Sequence, residues 1–422
     1  MAGALDGIKV IEFSIGIQAP QSAMHLAEHG AEVIKIEPPT GETNRHHFGL
    51  GSNLPPGSPG SQFIAMNRGK RLMAIDAKSE RGREVIFKLL ENADVFMSNW
   101  REAALERLGL SYDELHKRFP RLIYATVNGF GLKGPDADRA MTDGVAQARG
   151  GLPYVTGSPD RPPMLVGAAI ADTSGAVQLS VGILTALVAR ERTGIGQRVS
   201  TSSYASQLWL QAWELTHTGI TGFVPTRVGS FHPLAAGGGF GCYETADGQA
   251  VALVDSLPVE TWRKFCDYAG RPEIAEDERW DNPRKRIGLG DPTGKDAGAL
   301  RPIMIEMMRT HTAEEWEIFF ADPDFMFQRV FNYAEILEDP QALENGYVTE
   351  IDVANVGRIK TIANPITLSE TPAEVKLLPT ELGMHTEEIL LEHGYDWEDI
   401  VKINEDTRNA ERAAYEAAGI AR

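Results

Sequence analysis

A doubly wound α/β domain joined to a smaller second domain is predicted by three features of the 422-residue sequence. β-Branched runs alternate with amphipathic helical stretches through the first third, and glycine and proline fall at the boundaries between them. After the glycine run at 237–241 the alternation gives way to a hairpin followed by helices.

The elements follow in order. "GIKVIEF" (7–13) is a strand; Pro20 suits the first turn of a helix through "QSAMHLAEHG", which Gly30 ends; "AEVIKIE" (31–37) is a second strand. So short a βαβ unit implies parallel strands and a right-handed crossover. There follow the strand "RLMAIDA" (71–77), a helix "ERGREVIFKLLENA" (80–93), the strand "DVFMSNW" (94–100), a helix near 102–117 and the strand "RLIYATVNGF" (121–130). A long helix opens at Asp172 and runs to about Arg192, with Arg190 and Arg192 in its last turn and Gly194 beyond. "TGIGQRVSTSS" returns to a strand, and the helical stretch 203–218 carries Trp209 and Trp213. Past "GGGFG" (237–241), "CYETADGQAVALV" is a hairpin turning at Asp247-Gly248, followed by helices near 258–269, 297–310 and 312–321. The stretch 273–298, rich in Asp, Gly, Pro and Arg, is expected as a surface excursion.

Composition narrows the function. With 42% hydrophobic and 24% charged residues the chain suits a globular protein of about two domains. A formal net charge of -18 repels phosphate backbones, and no Lys/Arg block offsets it, so nucleic acid is not an expected partner. No window approaches the ~18 uninterrupted apolar residues of a membrane span, and "MAGALDGIKVIEF" lacks the features of a secretion signal. A cytoplasmic protein without a membrane partner is expected. Cys242 and Cys266 make neither a disulfide framework nor a C-x-x-C pair and read as buried fillers. The histidines are dispersed, His46 and His47 lack metal-ligand spacing, and no metal is expected.

Several local features have two readings. Asp172 precedes the long helix in "ADTSGAVQL", where a cap contributes ~1 kcal/mol; a carboxylate there also stays ionised and oriented, as a nucleophile requires. The loop "SIGIQAPQS" (14–22) lies where a doubly wound sheet holds phosphate, yet it lacks G-x-G-x-x-G, which disfavours a nicotinamide dehydrogenase and leaves Glu37 as a strand-end surface charge. "GGGFG" is either an ordinary flexible loop or a lid whose N–H groups approach a reacting carbonyl. Lys70-Arg71, Arg107 and Arg139 lie near element ends, where a solvated face or a phosphate contact are the alternatives.

Ten ordered segments, among them "LDGIKVIEF", "LAEHGAEVIKIEPPTGE", "NRGKRLMAIDAKSERGREV", "PRLIYATVNGFGLKGP", "VGAAIADTSGA" and "LGMHTEEILLEHGY", resemble the class III coenzyme A transferases of the CaiB/BaiF type over the first 205 residues and about 340–395. The resemblance implies that Asp172 is a nucleophile and that Gly237, Gly238, Gly239 and Gly241 belong to a loop covering the active site. It places coenzyme A contacts at Ile15, Gly16, Ile17, Lys70, Arg71, Leu72, Met73, Asn99, Trp100, Arg107 and Arg139. Coenzyme A would enter as acyl-CoA substrate, with a small carboxylic acid as acceptor and no permanently bound cofactor. Two departures stand out: Pro38 occupies the place of a nucleotide-binding arginine, and Gln18 is one residue from the family glutamine. Related racemases use a histidine in "GHD", which aligns with "MTD" here, and Thr142 cannot serve as that base. A transferase is therefore expected over a racemase-like isomerase, and Asp172 with its glycine loop over a non-catalytic coenzyme A-binding protein. The implied fold is a Rossmann-like large domain from both chain ends (1–203, with 331–422 as linker and return), a helical linker (204–229) and a small α+β domain (230–330). Two such chains would interlock as a homodimer, with Trp209 and Trp213 packing between them.

Overall fold

A computed structural model describes residues 3–235, 237–288 and 293–419. The chain divides into two compact units, Met1–Gly150 with Ala168–Leu210 and Leu337–Arg422, and Gly151–Gly167 with Gln211–Ile336.

The first unit is built on six parallel strands, β1 (Lys9–Phe13), β2 (Glu32–Glu37), β3 (Lys70–Ala74), β4 (Val95–Ser98), β5 (Ile123–Asn128) and β6 (Arg198–Ser202), in the order β3-β2-β1-β4-β5-β6. Strand order reverses between β1 and β4. Chain leaves these two neighbours in opposite directions, which opens a crevice outside their carboxyl ends. The inner strands β1, β2, β4 and β5 are buried on both faces, as expected for a parallel sheet covered on each side. Ile11, Ile34 and Phe96 face one core with Val85 and Leu89 of the helix Glu80–Leu90. Val10, Val33 and Val95 face the other, with Ala23 and Leu26 of the helix Gln18–Glu28 and Leu179 and Ile183 of the helix Ile170–Thr193. The edge strand β3 is covered by the C-terminal region: the Leu72 N–H donates to His385 Nδ1 at 3.0 Å and the Ala74 N–H to Thr386 Oγ1 at 3.1 Å.

Two features of this unit depart from the sequence expectation. The helix near 102–117 is two helices, Glu102–Arg107 and Tyr112–Arg118, separated at Gly109 (φ 73°) and restarted by Ser111, whose hydroxyl accepts the Glu114 N–H. The long helix begins at Ile170, two residues before Asp172. Its 24 residues, with mean hydropathy 1.3 over the most apolar stretch, are long and apolar enough to cross a bilayer by length and composition, yet polar residues interrupt them, as the sequence reading has it, and half of that stretch is buried inside the protein.

The second unit holds an antiparallel sheet of β7 (Phe240–Glu244), β8 (Ala250–Val254) and β9 (Phe327–Arg329), with the β7–β8 turn at Asp247-Gly248 and Gly248 at φ 76°. Its core gathers Trp262, Phe265, Trp280, Met304, Met307 and Trp316. Trp280 and Arg286 lie within 273–298, which is therefore not a surface excursion: Trp280 is fully buried, and the Arg286 guanidinium donates to the carbonyls of Ser256, Leu257 and Trp280. The charged composition conceals an aromatic anchor and an arginine that satisfies buried carbonyls. Residues 289–292 of this stretch lie outside the described residues. Cys266 is buried as expected; Cys242 is exposed, because it alternates on β7 with the inward-facing Tyr243.

Candidate functional site

Two cavities open at the carboxyl edge of the six-stranded sheet, and Trp100, just after β4, belongs to both. The first, of ≈ 700 Å³, is lined by the loop Ile15–Gln18, Asn99, Asn128, Arg139, Thr142 and Asp172. The second, of ≈ 860 Å³, is walled by Pro38, Thr40, Asp76, Lys78, Arg83 and Arg107. Either suits a small ligand in size. The Trp100 ring lies 4.7 Å from that of Phe13, and its indole Nε1 is buried with no partner among the described residues.

Asp172 stands in the first turn of the helix Ile170–Thr193, not at its cap. The cap is supplied from elsewhere in the chain. Asp143, which opens the helix Asp143–Gly150, accepts the N–H groups of Ala171 at 2.7 Å and Asp172 at 3.2 Å through one carboxylate oxygen, while Gln147 donates to the other at 2.6 Å. This corrects the capping reading of Asp172 and leaves its carboxylate on the cavity wall. Burial, aided by the neighbouring Asp143 charge and opposed by a hydrogen bond from Gln18, pushes the Asp172 carboxyl up to about 6. At neutral pH it is ionised yet poorly solvated, so it is a better nucleophile than a carboxylate in water.

If chemistry depends on ionised Asp172, kcat/KM falls about tenfold per pH unit below an apparent pKa near 6. Asp143→Asn removes one of the two causes, so it should move this acidic limb to lower pH, by less than the whole elevation because burial remains. A pH–rate profile of both proteins checks this; an unmoved limb would remove Asp143 from the electrostatics of the site.

The loop after β1 is held by Asn99, whose Oδ1 accepts the Ile15 N–H at 3.0 Å and whose Nδ2 donates to the Ile15 carbonyl. Asn99 is thus on the cavity wall with its amide engaged by the loop backbone. Gly16 adopts φ 84°, a conformation glycine takes without strain. Arg139 is exposed at the first cavity beside Asp136 at 3.6 Å, and Arg107 is exposed at the second with its Nε donating to the Ala103 carbonyl.

Lys70, Arg71, Leu72 and Met73 line neither cavity. Leu72 and Met73 are fully buried, Lys70 is buried against Glu12 at 2.8 Å, and Arg71 pairs with Glu32, Glu388 and Glu392. The physical reason is strand length: β3 continues to Ala74, so the residues emerging at the carboxyl edge are Ile75–Lys78, and these line the second cavity. Glu37 is likewise no surface charge; it is buried and takes both Nε and Nη2 of Arg45 at 2.7 Å.

The glycine run belongs to the second unit and is packed rather than loose. A Cβ at Gly237 would lie 2.2 Å from the Arg286 carbonyl oxygen, at Gly239 2.1 Å from that of Asp255, at Gly238 2.8 Å from Met304 and at Gly241 2.6 Å from the Phe231 ring. Close approach accounts for all four glycines, correcting the flexible-loop reading. Sequence reasoning missed Asp143 as a cap, Asn128 and Arg83 on the cavity walls, and Ile75–Lys78. An acid opening "DGVAQ" is a signal of a helix start, but nothing local links Asp143 to Ala171.

The family model described as CoA-transferase family III matches residues 5–386. An acyl-CoA transferase of Fusarium pseudograminearum is 33% identical over 415 residues, covering 96% of this chain and 88% of that protein. A formyl-CoA:oxalate CoA-transferase of Streptomyces coelicolor is 31% identical, covering 92% of this chain and 94% of its own length. Among solved structures, a CAIB/BAIF family protein from Brucella suis superposes with TM-score 0.81 at 29% identity, covering 93% of this chain and 100% of that one.

Proposed function

Because this chain belongs to CoA-transferase family III and is an enzyme of that type, we propose that it moves coenzyme A from an acyl-CoA to a small carboxylic acid through covalent chemistry on Asp172. The observation that carries this reading is the placement of Asp172: a carboxylate on a cavity wall, in the first turn of a helix capped by another residue, with its carboxyl held up at about 6.

The exchange of one thioester for another is nearly isoenergetic, so the barrier is kinetic, and a covalent relay divides it. The Asp172 carboxylate attacks the donor thioester carbonyl and expels coenzyme A thiolate, leaving an aspartyl mixed anhydride. The thiolate attacks the aspartyl carbonyl and releases the donor acid, leaving an aspartyl-CoA thioester. The acceptor carboxylate attacks that thioester, giving a second anhydride and thiolate. Attack of the thiolate on the acceptor's carbonyl then yields the new acyl-CoA and restores the Asp172 carboxylate. Each tetrahedral intermediate carries an oxyanion, for which backbone N–H groups of the glycine loop are the proposed donors. Thr142, also on the cavity wall, has no side chain able to act as a base near neutral pH, which favours transfer over α-proton exchange.

The two cavities divide the coenzyme between them in this reading. Lys78, Arg83 and Arg107 at the second cavity suit the nucleotide phosphates, which compensates for Pro38, and the thioester end reaches the first cavity past Trp100. Arg107→Ala should raise KM roughly 3- to 10-fold for every acyl-CoA donor and leave kcat nearly unchanged, as loss of a partly exposed charge contact common to ground and transition states. An effect confined to one acyl group would instead place Arg107 at the acyl end.

A homodimer completes the reading. Val177, Val181, Leu184 and Val188 recur at helical spacing on the helix Ile170–Thr193 and are each at least 40% exposed in the single chain, and Trp209 and Trp213 are exposed as well. Light scattering at low concentration should give about twice the 46.1 kDa chain mass; an active monomer would overturn the dimer.

A further inference from the structure

Glu42 lines neither cavity, is 1% exposed, and reaches the candidate site through the backbone. Its Oε2 accepts the N–H of Gly16 at 2.8 Å, on the cavity-lining loop after β1. Its Oε1 lies 3.2 Å from Lys35 Nζ, and Asn67 donates to the same oxygen at 3.5 Å. Lys35 in turn donates to the Ser14 carbonyl at 3.0 Å and pairs with Glu12 at 2.9 Å, and Glu12 accepts the Ser14 hydroxyl at 2.7 Å. The loop is therefore gripped from beneath at residues 14 and 16 by a buried ion cluster, and at residue 15 by Asn99.

Buried ion pairs of this kind contribute little net stability, because desolvation offsets their attraction. What they supply here is a fixed acceptor. A peptide N–H turned toward the interior in a positive-φ turn needs a partner there, and without one the loop gains by turning that N–H toward water in the cavity. We infer that Glu42 is a positioning residue for acyl-CoA binding: it fixes the Gly16 turn and so sets the shape of the Ile15–Gln18 wall beside Asp172. This rests on the reading of that cavity as the coenzyme A site.

Isothermal titration of the full-length protein with coenzyme A tests it. Glu42→Gln keeps an oxygen acceptor for the Gly16 N–H and should bind coenzyme A within about threefold of wild type, whereas Glu42→Ala should weaken binding by about tenfold or more. Gly16→Ala disturbs the same turn without touching the ion cluster, since a Cβ there meets no described residue within 4 Å and the φ of 84° is what opposes it. It should weaken binding as Glu42→Ala does, and it carries the test if Glu42→Ala does not fold. In turnover assays KM should rise while kcat per folded enzyme holds, a split that general loss of stability does not produce. Unchanged affinity in the Ala variants, or equal loss in the Gln variant, would overturn the role of Glu42. Failure of the wild type itself to bind coenzyme A would overturn the cavity assignment instead.

Discussion

Asp172→Asn should reduce transferase activity to background while leaving the fold intact. The amide is nearly isosteric and can keep the hydrogen bond with Gln18, but its oxygen is too weak a nucleophile to form an anhydride. Loss of a covalent nucleophile removes the whole relay, so the effect is of several orders of magnitude. The stability consequence has a definite sign. Because the Asp172 carboxyl is raised to about 6, the folded state holds a proton that the unfolded state releases at lower pH, and the wild type loses stability as pH rises from about 4 to about 6. The Asn variant lacks this loss. Its thermal midpoint relative to wild type should therefore rise across that interval and stay high above it, the reverse of what removal of a helix cap predicts. Substantial turnover by the purified variant, with deamidation excluded by mass spectrometry, would reduce Asp172 to a structural residue.

Gly239→Ala should produce the second largest effect. The new Cβ would stand 2.1 Å from the Asp255 carbonyl oxygen, and the Asp255 N–H donates to the Gly239 carbonyl at 2.9 Å, so the loop and the chain leaving β8 are locked together. Backbone must shift, because the obstructing atom is not the end of a flexible side chain. Overpacking of this kind costs about 1–3 kcal/mol. If the loop donates N–H groups to the oxyanion, the shift also lowers kcat by ~10²-fold, the usual effect of losing one such donor. In Gly241→Ala the nearest obstacle is the Phe231 ring at 2.6 Å, with the Ser230 carbonyl oxygen farther off at 3.1 Å, so it should be milder in both respects. Wild-type kcat in Gly239→Ala, measured well below its melting temperature, would exclude the loop from catalysis.

The doubly wound sheet was legible because its signals are local. The β-branched runs "GIKVIEF" and "AEVIKIE", separated by a helical stretch that Gly30 ends at φ 109°, are enough to specify a parallel βαβ unit. Features that depend on partners far along the chain were not. Glu37 looks like a strand-end charge until Arg45, from the short 3-10 helix Thr43–His46, folds back on it. Asp143 looks like a helix-opening acid until it meets Ala171 and Asp172, which begin another helix. Strand ends are the least determined local feature: "KRLMA" and the following "IDAK" form one continuous apolar and polar run, and only pairing with β2 through Glu37–Ala74 fixes where β3 stops. That register moves the cavity-lining residues from 70–73 to 75–78. As for Asp172, the residues alone favoured a cap over a nucleophile, and the Asp143 contact, which supplies the cap from elsewhere, is what separates the two roles.

The most direct test is covalent capture. Wild-type enzyme incubated with a panel of acyl-CoA donors and then with hydroxylamine should yield a hydroxamate on the peptide containing Asp172, because both the anhydride and the aspartyl-CoA thioester expose its carbonyl to the amine. Asp172→Asn should yield none. Turnover without modification of that peptide, or modification of another carboxylate such as Asp143 in its place, would contradict the account.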